Sequence, residues 1–135
     1  MIPVPRDHLR EVQMSAIELG MYLSKKAARF HDCLEACVAC LVACEMCSDA
    51  CLDEKDVAMM ASCIRVDRDC ADACAATIRA MARGGPLANG FCRACADACE
   101  SCAKECERHA AHAEHCRVCA DACRRCAEAC RKMAA

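Results

Sequence analysis

The sequence is poor in the large apolar side chains that fill most protein cores. Leu, Ile, Val and Phe together number 20 of 135 residues, tryptophan is absent, and Tyr22, Phe30 and Phe91 are the whole aromatic set. A deficit of this size indicates disorder when the net charge is high, but here the formal net charge is only −2. We therefore expect a folded domain whose apolar volume comes from other residue types.

Glycine and proline are also scarce, with four and three copies. They fall at a few breaks, and the stretches between them are rich in Ala, Glu, Arg, Lys, Met and Leu, which favour helix. The breaks predict an all-α chain with helices near 7–23, 27–52, 55–83, 89–109 and 113–133.

The predicted joints at 53–54 and 110–112 are too short for anything but antiparallel neighbours. The expected fold is an antiparallel up-down-up-down four-helix bundle with an additional N-terminal helix. We divide the chain into an N-terminal helical segment, 1–26, packed on the bundle, and a cysteine-lined four-helix bundle, 27–135.

An excess of one charge and long apolar runs are missing as well. The chain has 18 Lys and Arg against 20 Asp and Glu, and no stretch of 18 apolar residues. Nucleic acid and membrane are therefore not expected as partners, since both need a concentrated basic patch or an apolar span. Residues 1–8 lack a basic region leading into an apolar one, so we expect a cytoplasmic protein, in which thiols stay reduced.

Cysteine is the residue in excess, with nineteen copies. From residue 33 onward nearly all recur at alternating steps of three and four, which places them on one stripe of each helix. A repeat of seven residues per two turns is also the spacing of the contact residues in left-handed helical bundles. The four cysteine stripes should therefore face one another. The predicted metal ligands are Cys33, Cys37, Cys40, Cys44, Cys47, Cys51, Cys63, Cys70, Cys74, Cys92, Cys95, Cys99, Cys102, Cys106, Cys116, Cys119, Cys123, Cys126 and Cys130.

Three roles for these thiols other than metal binding are disfavoured. A single redox pair would lie at a helix N-terminus, whereas the chain has six Cys-x-x-Cys and eight Cys-x-x-x-Cys pairs along whole helices. A disulfide framework conflicts with the cytoplasmic address and the odd count. Cysteine as mere core filler sacrifices about 0.8 kcal/mol of burial free energy per missing methylene, so something bound has to compensate.

Soft thiolates select Cu(I), Zn(II) and iron–sulfur clusters, and charge separates the three. Zn(II) bound by four thiolates leaves two net negative charges in the core, which are costly to bury. Iron–sulfur clusters need four thiolates converging on one point, and a uniform stripe does not converge. One monovalent Cu(I) per thiolate gives a neutral core, so the pattern favours many Cu(I) ions.

The pattern resembles the four-helix-bundle copper storage proteins of bacteria, in their cytosolic branch. The cysteines of 33–130, the Asp-Cys-Ala-Asp-Ala-Cys segment at 69–74, the His-rich joint at 109–115 and the Cys-Arg-Val-Cys-Ala-Asp-Ala-Cys segment at 116–123 carry the resemblance. It covers about three quarters of the chain. The resemblance implies roughly one Cu(I) per cysteine inside each bundle and assembly into homotetramers. Exported members carry a signal peptide, which we do not find here.

The end of the bundle at the 53–54 and 110–112 joints is the predicted metal entrance. His109 and His112 continue the cysteine stripe there, His115 lies one residue off it, and Met59 and Met60 are expected close by. Imidazole and thioether both bind copper. We include His109 among the predicted metal ligands.

Asp67 interrupts the stripe of its helix between Cys63 and Cys70, and a buried carboxylate needs a partner; it is the other additional predicted ligand. Toward the opposite end, Ile78 and Met81 replace cysteine in this stripe. There Phe30, Leu34 and Phe91 are expected to close the bundle. These residues complete a column with one open and one closed end.

No catalytic constellation or phosphate loop is found, so we do not expect an enzyme. The leading hypothesis is cytosolic storage and detoxification of Cu(I), with release to a competing thiol or a copper chaperone. A zinc or general metal buffer resembling metallothionein is the first alternative. A thiol or iron–sulfur redox protein is the second.

Overall fold

A computed structural model describes residues 25–135. The helix predicted near 7–23, and with it nearly all of segment 1–26, lies outside the described residues. The helices are α1 (Lys25–Ala28), α2 (His31–Cys51), α3 (Ala61–Arg83), α4 (Ala88–Glu107) and α5 (Glu114–Ala134), with a 3-10 helix at Val57–Met60. Residues 25–135 contain no strand and no helix long and apolar enough to cross a membrane.

The four long helices form a closed ring around one core. α2 contacts α3, α3 contacts α4, α4 contacts α5, and α5 returns to α2. The connections are too short to reverse the chain twice, so neighbours run antiparallel. The predicted up-down-up-down bundle is confirmed.

The core of the ring is made of sulfur and methyl groups. All nineteen cysteines are 1% exposed or less. Beside the stripes lie small buried residues, the alanines at positions 71, 96, 103, 120 and 127. Free thiols are readily buried small hydrophobes, and small side chains let the helices approach closely enough for thiols of facing stripes to touch.

Two helix starts differ from the sequence prediction. The helix predicted over 55–83 begins only at Ala61, because the Asp56 side chain accepts a hydrogen bond from the Met59 backbone N–H at 3.3 Å and starts a 3-10 turn instead. Asp is a preferred capping residue for this reason. The helix predicted over 27–52 is interrupted at Phe30, whose backbone leaves the α region before α2 begins.

The turn between α3 and α4 depends on Gly84. Its φ is +62°, the left-handed conformation that ends many helices, and its N–H donates to the Met81 carbonyl at 2.9 Å. A Cβ built on Gly84 would lie 2.6 Å from the Cβ of Lys26. The short helix α1 therefore rests directly on this turn.

The outer faces of the helices differ in character. Ion pairs join α4 to α5, with Arg124 Nε 2.7 Å from Glu107 and Arg131 Nη2 2.7 Å from Glu100. α2 instead exposes apolar side chains on its outer face, with Val42 51% and Met46 67% exposed. One side of the bundle is thus less polar than the others.

Candidate metal centre

The thiols form one continuous column along the bundle axis. At the end where α2 begins, Cys33 lies 3.6 Å and Cys37 lies 3.7 Å from the Sγ of Cys130. Halfway along, the Sγ of Cys40 is 3.8 Å from those of both Cys70 and Cys99. These contacts join all four long helices, so the predicted facing of the stripes is confirmed.

The thiols also group into sets of four that share members. Within each set the ligand atoms lie within 4.8 Å of one another. Four such sets are Cys37, Cys95, Cys126 and Cys130; Cys40, Cys70, Cys74 and Cys99; Cys40, Cys44, Cys70 and Cys123; and Cys44, Cys102, Cys119 and Cys123. Because Cys40, Cys44, Cys70 and Cys123 each belong to two of these sets, their sulfurs can bridge metals in neighbouring sites.

Asp67 lies inside this column and is fully buried. Its Oδ1 is 3.1 Å from the Sγ of Cys102 and 3.4 Å from those of Cys106 and Cys119, while its Oδ2 is 3.8 Å from Cys63. Burial is the largest cause that raises the pKa of this carboxyl to about 8. Asp67 is therefore positioned among thiols from three helices.

His115 contacts two thiols at the end of the column where α5 begins. Its Nδ1 is 3.4 Å from the Sγ of Cys47 and 3.5 Å from that of Cys116. Its Nε2 lies 2.8 Å from Glu54 Oε1. Since a carboxylate only accepts, Nε2 is the donor to Glu54, and in the neutral ring Nδ1 then has a lone pair directed at the thiols. A set of Cys47, Cys51, Cys116 and His115 could hold a metal.

The other residues predicted at this end differ in how deeply they are buried. His109 is 5% exposed, and neither ring nitrogen has a hydrogen-bond partner among residues 25–135, although Nε2 is 3.4 Å from Glu105 Oε1. His112 is exposed and meets the His109 ring edge-on at 5.7 Å between centroids. Met60 is 2% exposed and Met59 is 56% exposed. Of the two methionines, only Met60 is part of the core.

The opposite end is closed mainly by three residues. Phe30 and Met81 are fully buried and Leu34 is 7% exposed. Phe91 was expected to help close this end, but its ring is 36% exposed. Its backbone carbonyl, however, accepts a hydrogen bond from the Thr77 hydroxyl at 3.2 Å.

The described core contains no cationic side chain that could balance a thiolate. In the part of the chain that the structure describes, the buried polar or charged residues are Ser48, Asp67, Thr77 and His109, with no lysine or arginine among them. Burial raises the pKa of Cys51 and raises that of Cys116 to about 12. A metal ion entering here therefore supplies the positive charge that the protein itself does not, and it has to displace protons.

This geometry defines a class of protein, a helical bundle that binds many soft metal ions in shared thiolate sites. The chain belongs to the copper storage protein family, whose family model matches residues 26–135. The "uncharacterized cysteine-rich protein YhjQ" of Bacillus subtilis (strain 168) is 47% identical over 65 residues, which are 48% of this chain and 60% of that protein.

Two solved structures have the same fold. The Cu(I)-bound copper storage protein BsCsp3 is 47% identical, with 76% of this chain and 95% of that chain covered and a TM-score of 0.72. A cytosolic copper storage protein from Streptomyces lividans with five coppers is 43% identical, with coverages of 81% and 94% and a TM-score of 0.77. The predicted resemblance is confirmed.

Proposed function

We propose that this protein is a cytosolic Cu(I) store that binds roughly one copper per cysteine and catalyses no reaction. The observation that carries the proposal is the sharing of four thiols, Cys40, Cys44, Cys70 and Cys123, between neighbouring sets of four. Shared sulfurs indicate a continuous metal–thiolate cluster and not a row of isolated four-thiolate sites. Shared sulfurs suit clusters in which each thiolate bridges two Cu(I) ions.

Charge supports the same choice of metal. Four thiolates around one Zn(II) carry a net charge of −2, and the described core contains no lysine or arginine to balance it. Buried charge that lacks a partner costs several kcal/mol even after relaxation. One Cu(I) per thiolate leaves the column neutral along its whole length.

The metal ligands include the nineteen cysteines, and to them we add Asp67, His109 and His115. The carboxyl of Asp67 touches four thiols and His115 Nδ1 touches two. His109 is buried at the same end with two ring nitrogens that lack hydrogen-bond partners among the described residues. We assign the copper mouth to this end, and name as the mouth residues His109, His115, Glu54 and Met60.

Release requires a ligand that competes for Cu(I), and we expect a copper chaperone or a low-molecular-weight thiol in this role.

A further proposed partner is another copy of this chain, in the homotetramer that the family resemblance implies. Val42 and Met46 on the outer face of α2 are the surface we assign to this contact, since large exposed apolar patches mark interfaces. Sedimentation of Val42→Glu/Met46→Glu should give smaller particles than wild type, and Leu87→Glu, at a 72% exposed residue, should not.

The proposal is tested by parallel anaerobic titrations of the reduced protein with Cu(I) and with Zn(II), each against a competing chelator. We expect Cu(I) to saturate near the cysteine count and to displace Zn(II). Cys44→Ser should lower the copper capacity by about one to two ions, because Cys44 belongs to two sets. Ser48→Ala, at a buried hydroxyl in the same helix, is the matched control. Saturation near one metal per four thiols, with Zn(II) preferred, would identify a zinc buffer instead.

A further inference from the structure

A cleft of about 260 Å³ opens between the start of α2 and the last turns of α5. It lies at the closed end of the bundle, away from the mouth residues. Its polar lining consists of three cations, two acids and one thiol: Arg29, Arg125, Lys132, Asp32, Glu128 and Cys33. We call it the Cys33 cleft.

The cleft connects with the thiol column through Cys33. Cys33 is the one cysteine in its lining, and its Sγ lies 3.6 Å from that of Cys130. Cys33 also occupies the first turn of α2, where Phe30 makes no side-chain cap. Backbone N–H groups at such a terminus favour a negative charge on a nearby sulfur. Copper bound at Cys33 would therefore be the copper nearest to a ligand in the cleft.

The charges of the cleft are only partly paired among themselves. Among residues 25–135 no ion pair includes Arg125, and Arg29 stacks on the Phe30 ring with 4.3 Å to the centroid. Lys132 reaches Glu128 at 3.6 Å, with both side chains more than 70% exposed. The cations without an ion pair are thus available for a carboxylate, and Asp32 is available for an ammonium group.

The volume limits the size of the occupant. Pockets for drug-sized ligands measure roughly 300–1,000 Å³, and this cleft is below that range. An amino acid or a very short peptide is small enough, and it carries both of the charges that the lining complements.

We propose that the Cys33 cleft binds a small zwitterionic thiol, carrying a carboxylate and an ammonium group, which takes Cu(I) from Cys33. This inference rests on the proposed function as a Cu(I) store. It adds a second route for copper, at the end that the core residues otherwise close. The cations orient the carboxylate, and the ligand's sulfur points toward the column.

The transfer is a ligand exchange without oxidation or reduction. A bond forms between Cu(I) and the sulfur of the incoming thiol as the bond between Cu(I) and the Cys33 sulfur breaks, and a second incoming thiol replaces the remaining column sulfur, giving that sulfur its proton, so that Cu(I) leaves the column. The proton of the first incoming thiol passes to Cys33, so every proton released by an incoming thiol is taken up by a column sulfur. Copper remains Cu(I) throughout.

The test measures the rate at which the fully loaded, intact protein loses Cu(I) to four probe thiols at equal thiolate concentration. The probes are cysteine, 3-mercaptopropionate, cysteamine and 2-mercaptoethanol, with a chromogenic Cu(I) chelator reporting release. For wild type we expect the cysteine rate to saturate with concentration. The 2-mercaptoethanol rate should rise linearly, since that thiol has no charged group to hold in the cleft.

Arg125→Gln/Lys132→Gln removes two cations from the cleft. We expect it to slow release to cysteine and 3-mercaptopropionate by about three- to tenfold, the size expected for the loss of two partly exposed ion pairs, and to leave 2-mercaptoethanol unaffected. Arg65→Gln/Arg68→Gln removes the same charge from the exposed outer face of α3 and should change nothing. If the double variant in the cleft unfolds, Lys132→Gln alone, at a 74% exposed side chain, serves in its place.

Equal effects of the two double variants, or equal behaviour of charged and neutral probes, would overturn the inference. So would a release rate that responds to His115→Ala and not to the cleft, because copper would then leave only by the mouth. Copper capacity is measured on the same samples before release. A low capacity would count against the proposed function, whereas a normal capacity with charge-independent release would count against the Cys33 cleft alone.

Discussion

The Oδ1 of Asp67 lies 3.1 Å from the Sγ of Cys102, and the carboxyl is fully buried. A carboxyl among thiols has only weak donors to stabilise its charge, and burial raises its pKa to about 8. At neutral pH the metal-free column therefore holds a proton on Asp67. Metal binding and proton release are coupled throughout the core.

The first prediction concerns the metal-free protein and Asp67→Asn. Asp67 ionises near pH 3.8 in an unfolded chain and near pH 8 in the folded one, so the folded state holds the proton more tightly. The contribution of the protonated Asp67 carboxyl to the stability of the folded protein is present below about pH 4 and is lost as pH rises through about 8. The free energy of unfolding should fall with pH across this window, by at most about 1.4 kcal/mol per pH unit.

The asparagine of Asp67→Asn cannot ionise. This variant should therefore lack the part of the slope of unfolding free energy against pH that comes from Asp67. Urea unfolding at several pH values between 4 and 8 measures the difference from wild type. Asp72→Asn, at an exposed position of the same helix, should keep the wild-type slope. A slope that is the same for wild type and Asp67→Asn would show that Asp67 is already ionised in the folded protein.

The second prediction compares the two neighbouring histidines of the mouth. His109 is buried and its ring nitrogens lack hydrogen-bond partners within the described chain, whereas His112 is exposed. His109→Ala should slow copper loading several-fold while the final capacity changes by about one ion or less. His112→Ala should load as wild type does. Stopped-flow loading from a Cu(I) chelator measures both, and equal rates for all three proteins would remove His109 from the mouth.

The third prediction concerns His115 and its carboxylate partner. His115→Ala removes the nitrogen that lies 3.4 Å from Cys47 and should weaken the copper bound nearest the mouth by about tenfold or more. Glu54→Gln keeps the imidazole but replaces the charged carboxylate that holds it with a neutral amide, so a smaller loss in the same site is expected. Competition with a chelator during the last added equivalents measures both. Wild-type retention in His115→Ala would show that the ring does not bind copper.

The fourth prediction concerns the turn that supports α1. Gly84→Ala places a Cβ in a left-handed conformation and 2.6 Å from the Lys26 Cβ, so the free energy of unfolding should fall by about 1–3 kcal/mol. Gly85→Ala meets no atom within 4 Å and should be close to neutral. Urea unfolding compares the two. Equal stability would mean that α1 does not rest on this turn in solution.

Periodicity was sufficient to predict the bundle and its thiol column. Steps of three and four place every cysteine on one face of its helix, and four such faces can be buried only against one another. The start of α3 could not be predicted this way, because the Asp56 side chain forms a local hydrogen bond to Met59 that the helical pattern does not contain. Local capping decided the boundary.

The positions of single side chains at the mouth could not be predicted from periodicity either. Phe91 and His115 occupy equivalent places, each directly before the first cysteine of its helix. Phe91 is 36% exposed, yet His115 reaches two thiols because Glu54, from the connection between α2 and α3, holds its Nε2. Its position four residues before Cys119 was a signal that could have suggested this contact. Asp67, in contrast, was found because it interrupts the stripe.

We infer that each Cu(I) that enters the column replaces one thiol proton. Native mass spectrometry of the reduced protein, titrated anaerobically with Cu(I), measures the number of bound coppers and the protons displaced by each. We predict loading to about nineteen coppers per chain, the cysteine count, with one proton lost for every copper gained. Saturation at about one metal per four thiols, or copper uptake that displaces no protons, would contradict the account.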